Sequence, residues 1–149
     1  YRLPFSERDS SSMQHDPEMI AEVRAWLHKA GRDIGAGDHD LTAEEPFTED
    51  AVYHAQQAVE KSFKALLVWH STPFRKTHNL EELGEQVLSC EPELRGVVDA
   101  VVPLTMYAWK YRYPGDEGSP SYEEAEQAIR TARHAHESVL SYLPTEARP

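Results

Sequence analysis

Residues 48–70 read TEDAVYHAQQAVEKSFKALLVWH, and this stretch decides the fold class. Its apolar residues recur at intervals of three and four, as on the core face of an amphipathic helix: Val52, Ala55, Val59, Phe63 and Leu66. Small residues beside that face would let a neighbouring helix approach closely: Ala51, Ala58, Ser62 and Ala65. The stretch therefore predicts a long helix that packs against other helices.

The opposite side of the same helix is polar. It carries His54, Gln57, Lys61 and Lys64. Such a stripe is most often a solvated helix face, with Glu60 and Lys64 as an exposed pair four residues apart, although it could also line a binding groove.

Start and stop signals place four more helices around this one. Asp16 and Pro17 predict a cap and first turn for a helix that stops near Gly35 and Gly37. At the start of the central helix, about 49–70, Thr48 is expected to cap while Phe47 packs on Val52.

The second half of the chain gives three further helices. Asn79 and Glu82 form a capping-box pattern for a short helix over about 79–89, and Pro92 opens a fourth that Pro103 bends. Ser121 begins a fifth that continues to about residue 143. No segment shows sustained strand alternation, so the predicted fold is all-α, an up-and-down bundle of about five helices.

The domain boundaries follow from where this periodicity begins and ends. We expect a flexible tail over residues 1–15, one helical domain over 16–144 and a C-terminal tail over 145–149. The polar run through Ser10 to Ser12 is also typical of an expression tag.

The charge balance excludes some classes of function. There are 15 Lys and Arg against 26 Asp and Glu, a net charge of −11, so any nucleic-acid site must be a local basic patch. One cysteine, Cys90, fits a reducing compartment and excludes a thiolate zinc cluster. No apolar run approaches a membrane span, so we expect a cytoplasmic protein without membrane contact.

Several blocks of the sequence resemble the HEPN family of small helical domains. They are AVYHAQQAVEKSFKALL at 51–67 followed by KTHNLEEL at 76–83, with AWLHKAGRDI at 25–34 upstream and KYRYP at 110–114 downstream. The last block resembles the arginine-tyrosine-proline turn of one branch. The resemblance covers about residues 25–139 and implies a helical bundle.

The resemblance also implies partners and an activity. It implies a homodimer that acts with a small nucleotidyltransferase in a toxin–antitoxin-like or defence system. Many relatives are metal-independent ribonucleases that use an arginine and a histidine with four to six residues between them, near that turn. Here the next histidine after Arg112 is His134, so that pair is absent. The departure favours a module that is non-enzymatic or catalytically weak.

Three other pairs meet the bare spacing, which is little evidence because so short a motif often matches by chance: Arg8 with His15, Arg32 with His39, and Arg130 with His136. On a regular helix Arg130 and His136 would lie about 120° apart, on different faces.

Arg112 is the first candidate binding residue. Its guanidinium can hold a phosphate through two hydrogen bonds, and Tyr111 and Tyr113 could stack on a base. The alternative is structural: Arg112 would pair with Asp116 or Glu117 while the tyrosines pack at the end of the bundle.

A second candidate is the basic loop of Arg75, Lys76 and His78. Backbone N–H groups at the start of the following helix would assist phosphate binding there. The alternative is that the loop is an anchor, with Thr77 or Asn79 capping the helix. The histidines form no metal pattern, so neither a metal nor a cofactor is expected.

These observations favour a nucleotide- or RNA-binding homodimer that works with a nucleotidyltransferase partner. One alternative is a metal-independent ribonuclease that uses His78 or Tyr113 for acid–base chemistry and Arg112 for charge stabilisation. Another is a non-catalytic scaffold or antitoxin-type protein whose acidic surface covers a basic partner.

Overall fold

The computed structural model describes residues 15–115 and 118–149. Within these ranges it contains five α-helices and no strand: α1 Pro17–Asp40, α2 Thr48–Trp69, α3 Leu80–Cys90, α4 Arg95–Val101 and α5 Tyr122–Leu140. Short 3₁₀ helices cover Pro92–Leu94, Val102–Ala108 and Thr145–Ala147. The predicted all-α bundle is confirmed.

Helix α2 lies at the centre of the bundle. Fourteen of its 22 residues are buried, which is more than one amphipathic face can account for. It packs along α1 and α5, and it also contacts α3 and the 3₁₀ helix Val102–Ala108. Helix α2 is therefore covered on several sides by other helices.

The polar side of α2 is where the sequence prediction is wrong. His54 Nδ1 lies 2.9 Å from the Asp40 carboxylate and Lys61 Nζ lies 2.6 Å from that of Asp33. Both acids come from α1, so this side of α2 is an interface between helices. The pair of Lys64 and Glu60, expected in solvent, is also buried, with Nζ and Oε2 2.9 Å apart.

Helix α1 begins as predicted and ends later than predicted. The Asp16 carboxylate accepts a hydrogen bond from the Glu18 N–H at 2.9 Å, and Pro17 is the first helical residue. The helix does not stop at Gly37 but continues to Asp40. Gly37 is buried against Ile129 of α5, where an added Cβ would lie 2.1 Å from Ile129 Cδ1. That glycine allows two helices to approach and does not end one.

The start of α2 also differs from the prediction. Thr48 is the first helical residue and makes no side-chain cap, and the Phe47 side chain is 58% exposed instead of packing on Val52. Two other contacts hold this end. The Phe47 N–H donates to the Asp40 carbonyl at 2.9 Å, and the Ser119 hydroxyl donates to Glu49.

The later helices begin where the capping patterns place them. Asn79 Oδ1 accepts from the N–H groups of Glu81 and Glu82, and the Ser121 hydroxyl accepts from the Glu124 N–H at 3.0 Å. The regular inner face of α5 is buried as predicted: Ala125, Ala128, Ala132, Ala135 and Val139. The helix ends at Leu140, three residues early.

Pro103 marks a change in helix type rather than a simple bend. Helix α4 is only seven residues long, and the chain passes into the 3₁₀ helix Val102–Ala108 around that proline. Proline lacks an N–H, so it cannot supply the hydrogen bond that would continue an α-helix.

The two ends of the described chain pack on the bundle. The His15 ring stacks on Trp69 with centroids 3.4 Å apart, whereas most of the predicted tail, residues 1–14, lies outside the described residues. Beyond residue 144, Ala147 is fully buried and Arg148 Nε donates to the Leu143 carbonyl at 3.0 Å. No described helix combines the length and apolar character that crossing a membrane requires.

Candidate functional site

Arg112 lies above the first turns of α2. Its guanidinium carbon is 3.8 Å from the centroid of the Tyr53 ring, a cation–π contact. Nη1 lies 3.4 Å from Asp50 Oδ1, which is long beside the 2.7–2.9 Å of a strong charge-assisted bond. The side chain is 32% exposed. The predicted alternative partners, Asp116 and Glu117, lie outside the described residues.

The tyrosines beside Arg112 differ in role. Tyr111 has a φ of +69°, in the left-handed region, and its ring stacks on Tyr107 with centroids 6.4 Å apart. Lys110 Nζ lies 5.0 Å from the Tyr111 centroid. Tyr113, in contrast, is 70% exposed. The turn therefore has one tyrosine that packs inward and one that is largely exposed.

Tyr107 ties this turn to α5. Its hydroxyl donates a short hydrogen bond to the Glu124 carboxylate. Burial, followed by the hydrogen bond and charge of Glu124, raises the pKa of Tyr107 well above its ordinary value of 10. The phenol is thus a fixed proton donor at neutral pH and holds the turn on which Arg112 is carried.

The two cations of the basic loop differ in their ion pairing. Arg75 donates from Nε and Nη2 to both oxygens of Glu82 at 2.7–3.0 Å, and these hydrogen bonds and the charge of Glu82 raise the pKa of Arg75. Lys76 is exposed, and among the described residues it has no ion-pair partner. Of the two, Lys76 is the cation open to a phosphate.

His78 is held by a buried carboxylate. Its Nδ1 lies 2.8 Å from Glu60 Oε1, while most of the ring is exposed. Glu60 also accepts from Lys64 Nζ at 2.9 Å and from Gln56 Nε2 at 3.2 Å. Burial alone would raise the pKa of Glu60, but the hydrogen bonds from Lys64 and His78 and the charge of Lys64 outweigh it, so the pKa is lowered.

The start of α3 is not the phosphate site that the sequence suggested. The Leu80 N–H donates to the Thr105 hydroxyl at 3.1 Å, and the N–H groups of Glu81 and Glu82 donate to Asn79 Oδ1. The first-turn donors are therefore occupied inside the protein. The expected cap by Asn79 is confirmed, and it removes these N–H groups from ligand binding.

The two candidate regions face the same side of α2. Arg112 contacts Tyr53 and His78 contacts Glu60, seven residues further along. Seven residues correspond to 700° of rotation, so the two contact points lie about 20° apart around the axis and about 10 Å apart along it. The described side chains thus form two separate sites along one face, and one phosphate held by Arg112 would lie beyond the reach of His78.

The two described arginine–histidine pairs differ in their surroundings. Arg130 is exposed and bonded to Glu126 at 3.0 Å, whereas His136 turns inward to Ser62 Oγ at 3.1 Å, on the different face that the spacing predicts. Burial lowers the pKa of His136. Arg32 and His39 are both exposed on α1. The remaining pair includes Arg8, outside the described residues.

Comparison with known proteins gives one finding. The profile of the HEPN domain matches residues 23–142. The chain belongs to the HEPN family. A search of curated proteins found no match, and neither did a search of solved structures. As a HEPN domain, the chain is a nucleotide- or RNA-related helical module, of a family whose members often dimerise.

Sequence reasoning missed the partners of the predicted residues. Tyr53 and Asp50 hold Arg112, and Glu60 holds His78. The one signal in the sequence was the seven-residue interval between Tyr53 and Glu60, which places both on one face of α2. The candidates themselves, Arg112, Tyr111, Tyr113, Arg75, Lys76 and His78, remain predictions as ligand-binding residues.

Proposed function

We propose that this HEPN domain binds nucleotides through Arg112 and Tyr113, and single-stranded RNA across the exposed turn that carries Arg112 and the exposed loop that carries Lys76. The single observation that carries the proposal is the state of Arg112. The guanidinium is held against an aromatic ring but has only a long, exposed contact to Asp50 among the described residues. A phosphate can replace that contact with two short ones at little cost.

The contrast with Arg75 supports this choice. Both oxygens of Glu82 already occupy Arg75, so a phosphate would have to break a bidentate pair to reach it. Tyr113 adds an exposed ring beside Arg112, and stacking on such a ring contributes about 1–3 kcal/mol per base in single-strand complexes. Phosphate recognition and base stacking are then available on one turn.

The separation of the two regions favours RNA over a mononucleotide as the full ligand. A mononucleotide at Arg112 cannot also reach Lys76, whereas a strand that crosses the turn and the loop contacts both. The proposal includes a homodimer and a nucleotidyltransferase partner in a toxin–antitoxin-like or defence system, on the basis of the family resemblance. No second function is favoured, since His78 and Arg112 do not converge on one phosphate.

Calorimetric titration with adenosine monophosphate and with a short single-stranded RNA tests the proposal. Arg112→Ala should weaken both ligands about tenfold or more, because a charge-assisted contact contributes about 1.5–3 kcal/mol. Lys76→Ala should weaken the RNA and leave the mononucleotide unchanged. The matched control is Arg95→Ala, which removes the same charge from an exposed pair with Asp99 on α4.

The outcomes separate the alternatives. If Arg112→Ala binds both ligands like Arg95→Ala, Arg112 is a structural arginine and the proposal is wrong. If the wild-type protein binds neither ligand, the scaffold alternative is favoured instead. Cleavage of the RNA in the presence of a chelator would support the ribonuclease alternative.

A further inference from the structure

A groove of about 340 Å³ lies between the end of α1 and the first half of α5, away from the residues around Arg112. Leu41 and Ile129 supply its apolar lining, and Tyr122, 43% exposed, lines it as well. Its charged residues are already paired: Arg133 with Asp38 at 2.7 Å and Arg130 with Glu126 at 3.0 Å. The groove thus offers apolar surface between neutralised pairs.

Two stretches of sequence that contribute residues to the groove lining are strongly acidic. Residues 33–60 contain eight Asp and Glu and residues 113–129 contain five, and neither stretch has a Lys or Arg. Half of the 26 acidic residues of the chain therefore lie in two segments. The Ser119 hydroxyl donates to Glu49, so the two segments contact each other at the start of α2.

Three exposed carboxylates lie within a few residues of the groove lining in the sequence. The loop that leaves Leu41 carries Glu44 and Glu45, both exposed, and Glu123 follows Tyr122. Among the described residues these three carboxylates have no cationic partner. A ligand that covers the groove would bring its own positive charges to them.

We propose that this groove binds a basic segment of a partner protein, with an apolar side chain of that segment seated against Leu41, Ile129 and Tyr122. Lys or Arg residues on either side of the apolar anchor would pair with Glu44, Glu45 and Glu123. Complementary charge speeds such an encounter and sets its orientation, while the buried anchor supplies most of the affinity.

Charge also argues against the other occupants. A second copy that used the same groove would place these acidic residues against themselves, and like charges in contact are destabilising. An RNA strand would meet the same repulsion. The groove therefore serves a different ligand from the one proposed for Arg112, and the two proposals can fail separately.

The test uses the whole chain and three synthetic peptides: a short Lys-rich peptide with Leu anchors, the same peptide with Ser in place of Leu, and the same peptide with Glu in place of Lys. Fluorescence anisotropy should detect binding of the Lys–Leu peptide only. Tyr122→Ala should weaken that peptide about tenfold, as expected for loss of an aromatic contact at an interface. The control Tyr113→Ala should leave it unchanged.

A second variant pair tests the charges without touching the apolar lining. Glu44→Gln with Glu45→Gln should weaken the Lys–Leu peptide severalfold, and more at low salt. Glu81→Gln with Glu85→Gln removes the same charge from exposed positions on α3 and should have a smaller effect.

Three results would overturn the proposal. They are equal binding of the Lys–Ser peptide, no difference between the groove variants and their controls, and no peptide binding at all. Dissociation of a dimer by Tyr122→Ala, seen by sedimentation, would likewise overturn it by assigning the groove to a second copy.

Discussion

Glu60 has a different role in the structure from the one that its position in the sequence suggests. Four positions before Lys64 it looks like half of an ordinary surface pair, yet it is buried and bonded to Lys64, His78 and Gln56. A buried carboxylate with that many donors is held as an anion, which agrees with its lowered pKa. Glu60 therefore fixes both the core of α2 and the loop that carries Lys76.

Substitution of Glu60 tests this role. Glu60→Gln leaves the Lys64 ammonium buried without its counter-charge, and the free energy of unfolding should fall by about 3–5 kcal/mol. Urea denaturation followed by circular dichroism measures it. The control Glu81→Gln, exposed on α3, should change stability by less than about 0.5 kcal/mol. A loss as small as the control's would show that the pair contributes little.

The same residue predicts a pH dependence. The pKa of Glu60 is lower in the folded protein than its ordinary value of 4.5, so its contribution is fully present above that value and is lost as the pH falls through the lowered one. The wild type should lose more stability on acidification below about pH 4.5 than Glu60→Gln does. If the free energy of unfolding falls equally with pH in the two proteins, this role of Glu60 is contradicted.

At the scale of helices, periodicity predicted each buried face but not what covers the other faces. The inner face of α5 and the cap at Asn79 follow from local spacing, and both are confirmed. The polar side of α2 could not be predicted in this way. Asp33 and Asp40, which pair with this side, are on another helix. Ion pairs between two helices do not alter the hydrophobic periodicity of either helix, so periodicity cannot predict them.

The role of a glycine within a helix is equally hard to predict from local sequence. Gly37 looked like a stop signal because glycine often ends helices, but here it is required by the contact with Ile129. Likewise, the residues that contact Arg112 lie about 60 positions earlier in the chain. They are Asp50 and Tyr53. Their approach depends on how the helices pack, so the sequence could name Arg112 but not its surroundings.

Two glycines give a matched test of helix packing. Gly35 on α1 has open space where a Cβ would lie, whereas at Gly84 on α3 a Cβ would lie 2.5 Å from Cγ1 of buried Val98. Gly35→Ala should stabilise the protein by about 0.5–1 kcal/mol through higher helix propensity. Gly84→Ala should destabilise it by about 1 kcal/mol, because valine has a stiff side chain and the core is full.

Thermal denaturation of both variants measures the difference. Equal shifts of Tm in the same direction would mean that α3 and α4 are not packed at Val98 as the structure describes. Opposite shifts, upward for Gly35→Ala and downward for Gly84→Ala, are expected.

At the scale of the whole molecule, acidic and basic residues lie close together at the start of α2. Asp50 contacts Arg112 there and Glu49 contacts Ser119, while Lys76 lies on the loop before α3. A net charge of −11 thus coexists with cations that can bind phosphate, since interactions between exposed charges are largely screened beyond about 8 Å at physiological salt. In the two proposals, RNA and a basic partner protein bind to different parts of the HEPN bundle.

The central claim is that RNA binds across the turn that carries Arg112 and the loop that carries Lys76, and nuclear magnetic resonance of the labelled protein tests it most directly. On addition of a short single-stranded RNA, the account predicts chemical-shift changes at Tyr53, Arg112, Tyr113 and Lys76, with Glu44 and Tyr122 unaffected. Adenosine monophosphate should change the chemical shifts of Tyr53, Arg112 and Tyr113 and leave that of Lys76 unchanged. Shifts that cluster at the groove, or saturating RNA that moves none of these residues, would contradict the claim.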